Sequence, residues 1–331
     1  MFDLAEPLHI AVGVIRNEHG HVLIAQRSSY LRQGGLWEFP GGKVEAGESV
    51  HEALARELLE ELNLYVEHTR PLLRVRHTYP EYSVLLDVWQ IGVWHGDVYG
   101  REGQPIEWRA VAHLRERDFP EANQAIIRAL ELPPLYLISP PVGNSYADFI
   151  ARAEYCLQAG VRLLQLRSTP DASDAYRQLV LTLKARCDEY GARLLLNARA
   201  GESLATLTHG LHLPAARLLQ LNTRPLGDDY FVAASCHNRM EVEHAVRLGL
   251  DFIVLSPVQA TPSHPGTDTL GWEGLHYLTE YASMPAYALG GMQPDDMTTA
   301  QSAGAQGIAM LGGVWQAPDP AGVIRACMNC E

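Results

Sequence analysis

From Leu135 onward the chain repeats one unit, a short apolar run followed by a longer stretch with helical spacing. The runs are LYLIS, VRLLQL, ARLLLN, GLHL, YFVAAS, DFIVLS, PAYAL and GIAML, eight in all. They are apolar throughout rather than alternating, the pattern of parallel strands buried on both faces. Helices are predicted at residues 145–159, 174–190, 239–248 and 294–303, between the runs. Eight strands in about 197 residues fit a compact (β/α)8 TIM barrel, an α/β fold, better than an open sheet.

The first part of the chain is organised differently. Residues 9–15 and 21–26 flank a turn-like NEHG and read as a strand pair. Further strands are expected at 71–77, 83–94 and 106–109, and a helix at 121–131. Sheet and helix segments in that irregular order predict an α+β domain. At Leu132-Pro133-Pro134 two prolines remove backbone donors and disfavour helix before them. The expected division is therefore a domain at 1–131, a linker at 132–134 and a domain at 135–331, which suits a chain of 331 residues.

The densest chemistry lies between Gly41 and Leu64, in GGKVEAGESVHEALARELLEELNL. A helix there puts Glu57, Glu60 and Glu61 on one side, just after a glycine turn. Like charges three and four positions apart repel by about 0.2–0.5 kcal/mol per pair, so a cation is expected to offset them. A hard dication such as Mg2+ takes carboxylate oxygens and keeps positions open for phosphate and water, which suits hydrolysis of a phosphorylated substrate. A net charge of -13 argues against a groove for polymeric nucleic acid. No apolar run approaches a membrane span and the N-terminus lacks a basic region ahead of an apolar one, so no membrane association and a cytoplasmic location are expected. Cys156, Cys187, Cys236, Cys327 and Cys330 are odd in number and scattered, as in a protein with reduced thiols; the lone Cys327–Cys330 CxxC is read as a tail rather than a zinc site.

Gly42, Glu48, Arg56, Glu57, Leu58, Glu60, Glu61 and Leu64 match G-x5-E-x7-R-E-U-x-E-E-x-G-U, with U a bulky aliphatic, except that Asn63 stands where the pattern has Gly. This resembles the signature of the Nudix hydrolases. Asn is the residue next most able to take the left-handed conformation that ends a helix. The opening IAVGVIRNEHG, the segment WEFPGGKVE, and HGDVYGREGQPIEW followed by DFPEAN resemble the MutT type of that superfamily, which clears oxidised guanine nucleotides. The resemblance implies Glu57, Glu60 and Glu61 as metal ligands and catalytic groups, with Glu102 and the Gly41 carbonyl completing the shell. It implies Mg2+, with Mn2+ as a substitute, and a nucleotide substrate split into monophosphate and pyrophosphate. Glu48 and Arg56 are expected to pair and orient the loop at Gly42, Arg27 to contact phosphate unless it is a plain surface arginine, and Phe39 either to join the base pocket or to pack in the core, as aromatics beside a glycine loop more often do. Asn123, in FPEAN, is expected to read the base. The 8-oxoguanine edge carries a hydrogen on N7 beside the O6 acceptor, and a primary amide offers the matching acceptor and donor. An Asn at a helix start can also serve only as an N-cap.

The second part, through QLR at Gln165 to Arg167, LLN ending at Asn197, HGLHLP, ASCHN, VLSPV, ALGGM and GIAMLGGV, resembles thiamine phosphate synthase and the thiazole tautomerase TenI. That resemblance implies substrate contacts from Gln165, Arg167, Asn197, Gly291 and Gly312, with a thiazole phosphate or thiamine-related ligand. Gly290, Gly291, Gly312 and Gly313 lie where barrel loops hold phosphate, and tight turns alone would also require glycine there. The sequence departs from the synthase in having Thr169 where a lysine is expected, Ala198 where an aspartate would hold magnesium, and no acid in LPAAR after HGLHL. His237, in ASCHN, coincides with the tautomerase's proton-transfer histidine.

Overall fold

The computed structural model describes residues 6–30, 32–167, 173–197, 202–261, 266 and 268–328. Thr169, Ala198 and Cys330 lie outside the described residues. The chain divides into two compact units, Met1–Glu131 and Leu132–Glu331.

Seven strands form two sheets in the first unit: β1 (Leu8–Ile15), β2 (Val22–Gln26), β3 (Trp37–Glu38), β4 (Gly41–Lys43), β5 (Tyr65–Thr78), β6 (Ser83–His95) and β7 (Ile106–Arg109). One sheet has the order β4-β1-β6-β5 and the other β3-β2-β7. β1 runs parallel to β6 from Leu8↔Val84 to Ile15↔Ile91, while β4 and β5 are antiparallel to their neighbours. The expected pairing of β1 with β2 stops at a single bridge, Arg16↔Val22. Asn17 closes the turn by accepting the His19 and His21 N–H groups on its side chain, each at 3.0 Å, and the two strands then diverge into different sheets. β3 and β4 are too short to show a periodic pattern, and the sequence did not reveal them.

Helix α1 (Val50–Leu62) buries Ala53, Leu54, Leu58 and Leu62 in a cluster with Ala11, Ile15 and Leu23. Full burial contributes about 1.5–3 kcal/mol for each leucine. The helix starts at a reciprocal cap: the Ser49 hydroxyl accepts from Glu52 N and the Glu52 carboxylate from Ser49 N. It ends at Asn63, whose φ of 58° is left-handed, as expected for a residue in place of glycine. The predicted helix at 121–131 begins as a 3-10 turn, Glu121–Asn123, before α2 (Gln124–Glu131).

In the second unit β8 (Leu135–Ile138), β9 (Leu163–Leu166), β10 (Arg193–Asn197), β11 (Gly210–Leu213), β12 (Phe231–Cys236), β13 (Phe252–Leu255), β14 (Ala286–Leu289) and β15 (Gly307–Met310) close a parallel barrel, β15 pairing β8. Alternate residues divide between two cores. Leu135, Leu164, Leu196 and Ile253 face the surrounding helices, while Tyr136, Leu163, Leu195, Phe252 and Tyr287 fill the interior. Leu132 and Pro133 are part of this unit and not a free tether. Leu132 is buried in the interior core, its carbonyl accepts from Gln306 Nε2 at 2.9 Å, and the Pro133 carbonyl accepts from the Tyr287 hydroxyl at 2.5 Å. No helix among the described residues is long and apolar enough to cross a membrane.

Candidate functional site

Burial of its leucine face against β1 leaves the opposite side of α1 toward the β4 turn. There Glu57 lies directly over residue 42: a Cβ on Gly42 would stand 2.0 Å from the Glu57 carboxyl carbon, so glycine leaves room for the carboxylate that any side chain would displace. The Glu61 carboxylate accepts the Gly41 N–H. The group through which Gly41 meets α1 is thus its N–H, whereas the sequence pointed to its carbonyl. Arg56 holds this end of the helix together. Its Nε and Nη2 donate to the two Glu48 oxygens, each at 2.9 Å, its Nη2 also to the Lys43 carbonyl at 3.0 Å, and its Nη1 to Glu57 at 2.9 Å and Glu60 at 3.4 Å. The expected Glu48–Arg56 pair is therefore present and reaches the loop.

Glu102 is brought to the helix by backbone contacts. The Arg101 N–H and the Gln104 side-chain amide both donate to the Glu61 carbonyl, at 2.8 and 3.0 Å, and the Arg101 guanidinium to the Leu59 carbonyl at 2.7 Å. These donors also satisfy carbonyls that a helix end leaves unpaired. Burial, and then the negative charges of Glu38, Glu57 and Glu102, push the Glu61 carboxyl up to about 8. Three carboxylates that raise the cost of ionising Glu61 form the oxygen-rich setting that a hard dication relieves. Among the described residues no three acidic, histidine or cysteine side chains already stand as a closed cage, and Glu57 and Glu60 lean toward Arg56.

Glu38 joins this group without belonging to the motif. Its place on β3, opposite Ala25, carries it to Arg27, to which it is paired. Burial raises the Glu38 carboxyl while Arg27 opposes the rise. Arg27, the expected phosphate contact, is thus held beside the acidic cluster. The Asn123 side chain is 8% exposed; its carbonyl oxygen faces the Phe39 N–H at 3.5 Å, and its amide nitrogen makes no hydrogen bond among the described residues. It does not cap α2. The Phe39 ring is buried and stacks on Phe119 at 5.6 Å, so the ring is core and its backbone is what meets Asn123.

In the second unit a cleft of about 1290 Å³ opens at the C-terminal ends of the strands, where barrel ligands bind. Gln165, Arg167, Asn197, His237, Gly291 and Gly312 all line it. Gln165 donates to the Tyr136 hydroxyl at 3.0 Å, and that hydroxyl meets His212 Nδ1 at 3.3 Å. His212 Nε2 meets the Ser235 hydroxyl at 2.8 Å. Complete burial holds the His212 imidazole down to about 3, so it is neutral. Tyr136, His212 and Ser235 were missed in the sequence because single polar positions inside apolar strands leave no periodic mark. His237 Nδ1 lies 2.6 Å from the Ser256 carbonyl, which can only accept; Nδ1 then carries the proton and Nε2 is left as an acceptor. Its N–H donates to Glu241, 2.6 Å away, beside the Asn238 cap of the following helix. A Cβ on Gly291, at φ +70°, would lie 2.6 Å from the Ala260 carbonyl, so packing alone demands glycine there. Gly312 is less crowded, its nearest neighbour being the Gln316 side chain at 3.5 Å. Ala215 and Ala216 line the cleft after β11, so the LPAAR segment puts no acidic side chain there.

Residues 11–129 match a family model described as NUDIX domain, and residues 135–314 one described as thiamine monophosphate synthase. The chain is 38% identical over 124 residues to an 8-oxo-dGTP diphosphatase of Escherichia coli, covering 38% of this chain and 96% of that protein. It is 32% identical over 209 residues to a thiamine-phosphate synthase of Thermosynechococcus vestitus, covering 62% of this chain and 58% of the relative. A putative thiamine-phosphate synthase of Geobacter sulfurreducens is 34% identical over 200 residues, which cover 59% of this chain and 92% of that protein. The protein is a Nudix hydrolase in its first unit and, through residues 135–314, belongs to the thiamine monophosphate synthase family.

Proposed function

We propose that the first unit hydrolyses 8-oxo-dGTP to 8-oxo-dGMP and pyrophosphate with a divalent cation, Mg2+ or Mn2+, and so removes an oxidised nucleotide before it enters DNA. The observation that supports this reading is that Glu57 lies over Gly42 and Glu61 accepts the Gly41 N–H, while the charges of Glu102 and of Glu38, the partner of Arg27, act on Glu61. A bound dication would supply charge neutralisation of the phosphates and a more acidic water. Glu57, Glu60, Glu61 and Glu102, with the Gly41 carbonyl, would hold it. Arg27 binds a phosphate oxygen, Arg56 and Glu48 fix the loop, and water cleaves the α–β phosphoanhydride bond. Asn123 reads the base: its carbonyl accepts the hydrogen that oxidation places at N7, and its amide donates to O6. Against guanine the same carbonyl faces a lone pair, and badly paired groups of this kind discriminate strongly.

Steady-state hydrolysis of 8-oxo-dGTP, dGTP and diphosphates of thiamine and its pyrimidine precursor tests the reading. Asn123→Ala is expected to lower the 8-oxo-dGTP over dGTP preference by roughly a hundredfold, and Glu57→Gln or a chelator to abolish turnover. Faster hydrolysis of the thiamine-related diphosphates would replace this reading with a role in clearing precursors or damaged forms of that cofactor.

For the barrel, the alanines at 215 and 216 and the free Nε2 of His237 favour isomerisation of a thiazole phosphate over synthase chemistry. His237 would move the proton, while Arg167, Gln165, Asn197, Gly291 and Gly312 bind the ligand. Loss of thiazole isomerisation in His237→Ala supports this, whereas ligand binding without turnover in the unaltered protein makes the barrel a binding module.

A further inference from the structure

The segment that carries Asn123 is gripped residue by residue from the β5–β6 connection. Ala122, 3% exposed, donates its N–H to the Tyr79 hydroxyl at 3.3 Å. Glu121 Oε2 lies 3.4 Å from His77 Nε2, an approach without hydrogen-bond alignment on a largely exposed carboxylate, which contributes little. The Asn123 N–H turns back to the Pro120 carbonyl at 3.0 Å, and its side chain to Phe39 N. Of the contacts that reach this 3-10 turn from the hairpin, the Tyr79 hydroxyl is therefore the directional one.

Tyr79 is itself fixed. Its N–H donates to the Tyr82 carbonyl at 2.8 Å, its ring stacks on Tyr82 at 4.9 Å, and the His77 ring meets it edge-on at 4.4 Å. The Arg32 guanidinium lies 5.0 Å from the centre of the Tyr82 ring, which ties the connection to the loop after Arg27. A hydroxyl at the end of a braced ring sets the position of a backbone N–H more firmly than the two-residue spacing of a short turn can.

Resting on the base-reading role given above to Asn123, we propose that Tyr79 is a positioning residue for nucleotide discrimination. Its hydroxyl fixes the 121–123 turn so that the Asn123 amide meets the oxidised edge of the purine at hydrogen-bonding distance. A shift of the turn by a few tenths of an ångström weakens both amide hydrogen bonds to 8-oxoguanine. It also relaxes the clash of carbonyl and lone pair that excludes guanine, so preference suffers more than turnover.

The test is Tyr79→Phe, which removes one oxygen and keeps the ring, measured beside Asn123→Ala in the full chain with kcat and KM for 8-oxo-dGTP and dGTP and with thermal melting. The expected result is a preference lowered about fivefold in Tyr79→Phe, carried by KM for 8-oxo-dGTP, with kcat for dGTP unchanged. If Asn123→Ala lowers the preference and Tyr79→Phe does not, whatever its melting temperature, the positioning role is overturned while base reading by Asn123 stands. Equal losses on both nucleotides overturn it as well. If Asn123→Ala itself leaves the preference intact, both readings fall together.

Discussion

At residue 42 even the smallest side chain would meet the Glu57 carboxyl carbon at 2.0 Å. Gly42→Ala must therefore push Glu57 off its place or move the β4 turn. Displacements near 1 Å at a reacting centre cost about a hundredfold, and that is the loss of nucleotide hydrolysis expected, with far-ultraviolet circular dichroism unchanged. The other residue-scale prediction concerns His212. Its folded value lies near 3 against 6.5 for a free imidazole, because burial disfavours the charged ring. The unfolded chain then binds the extra proton between those values, so stability from this group is complete above about pH 6.5 and is lost as pH falls toward 3. Barrel melting temperature is expected to drop across that window, and His212→Gln to flatten the decline. The two residues differ in how legible they were: Gly42 sits inside a spaced motif, whereas His212 is one polar position in GLHL, a run that otherwise only announces a buried strand.

Among elements, α1 shows how a motif and a local rule coincide. The spacing that gathers the glutamates on one side also leaves Leu54, Leu58 and Leu62 for the core, and Ser49 and Glu52 close its first turn reciprocally. Ser49→Ala is expected to cost about 1 kcal/mol, read as a lower midpoint in urea with an unchanged slope. The helix and the long strands were legible in the sequence because each repeats a period several times. The strand pairing at the N-terminus was not: the Asn17 turn is a true turn, but the course of the chain on either side of it depends on β6 and β7, seventy or more positions away, claiming β1 and β2 for separate sheets. Two- and three-residue strands such as β3 and β4 carry Glu38 and the Gly41 N–H into the site, and they are too brief to have a pattern.

For the whole molecule, the eight apolar runs foretold the barrel because a closed parallel sheet has no edge strand to break the pattern. The prolines at 133 and 134 stand at the start of the second compact unit, which begins at Leu132. Their segment completes the barrel: Leu132 fills its interior, and the Leu132, Pro133 and Pro134 carbonyls accept from Gln306, Tyr287 and the Ile308 N–H. A barrel fragment that begins at Leu135 is expected to be about 2–5 kcal/mol less stable than one beginning at Leu132, measured by urea unfolding followed by tryptophan fluorescence.

The seam of the barrel also has a cost in time. Leu132 and its partner Gln306 are 174 positions apart, and β8 pairs with β15, the last of the eight barrel strands in chain order. A ribosome adding about 5–20 residues per second needs roughly 9–35 s to span that distance. Through that interval the open flank of β8 and the Leu132 side chain have no native cover. The nascent chain should therefore engage holdase chaperones over its second unit and much less over its first, whose β1–β6 pairing is complete once Ile91 has emerged.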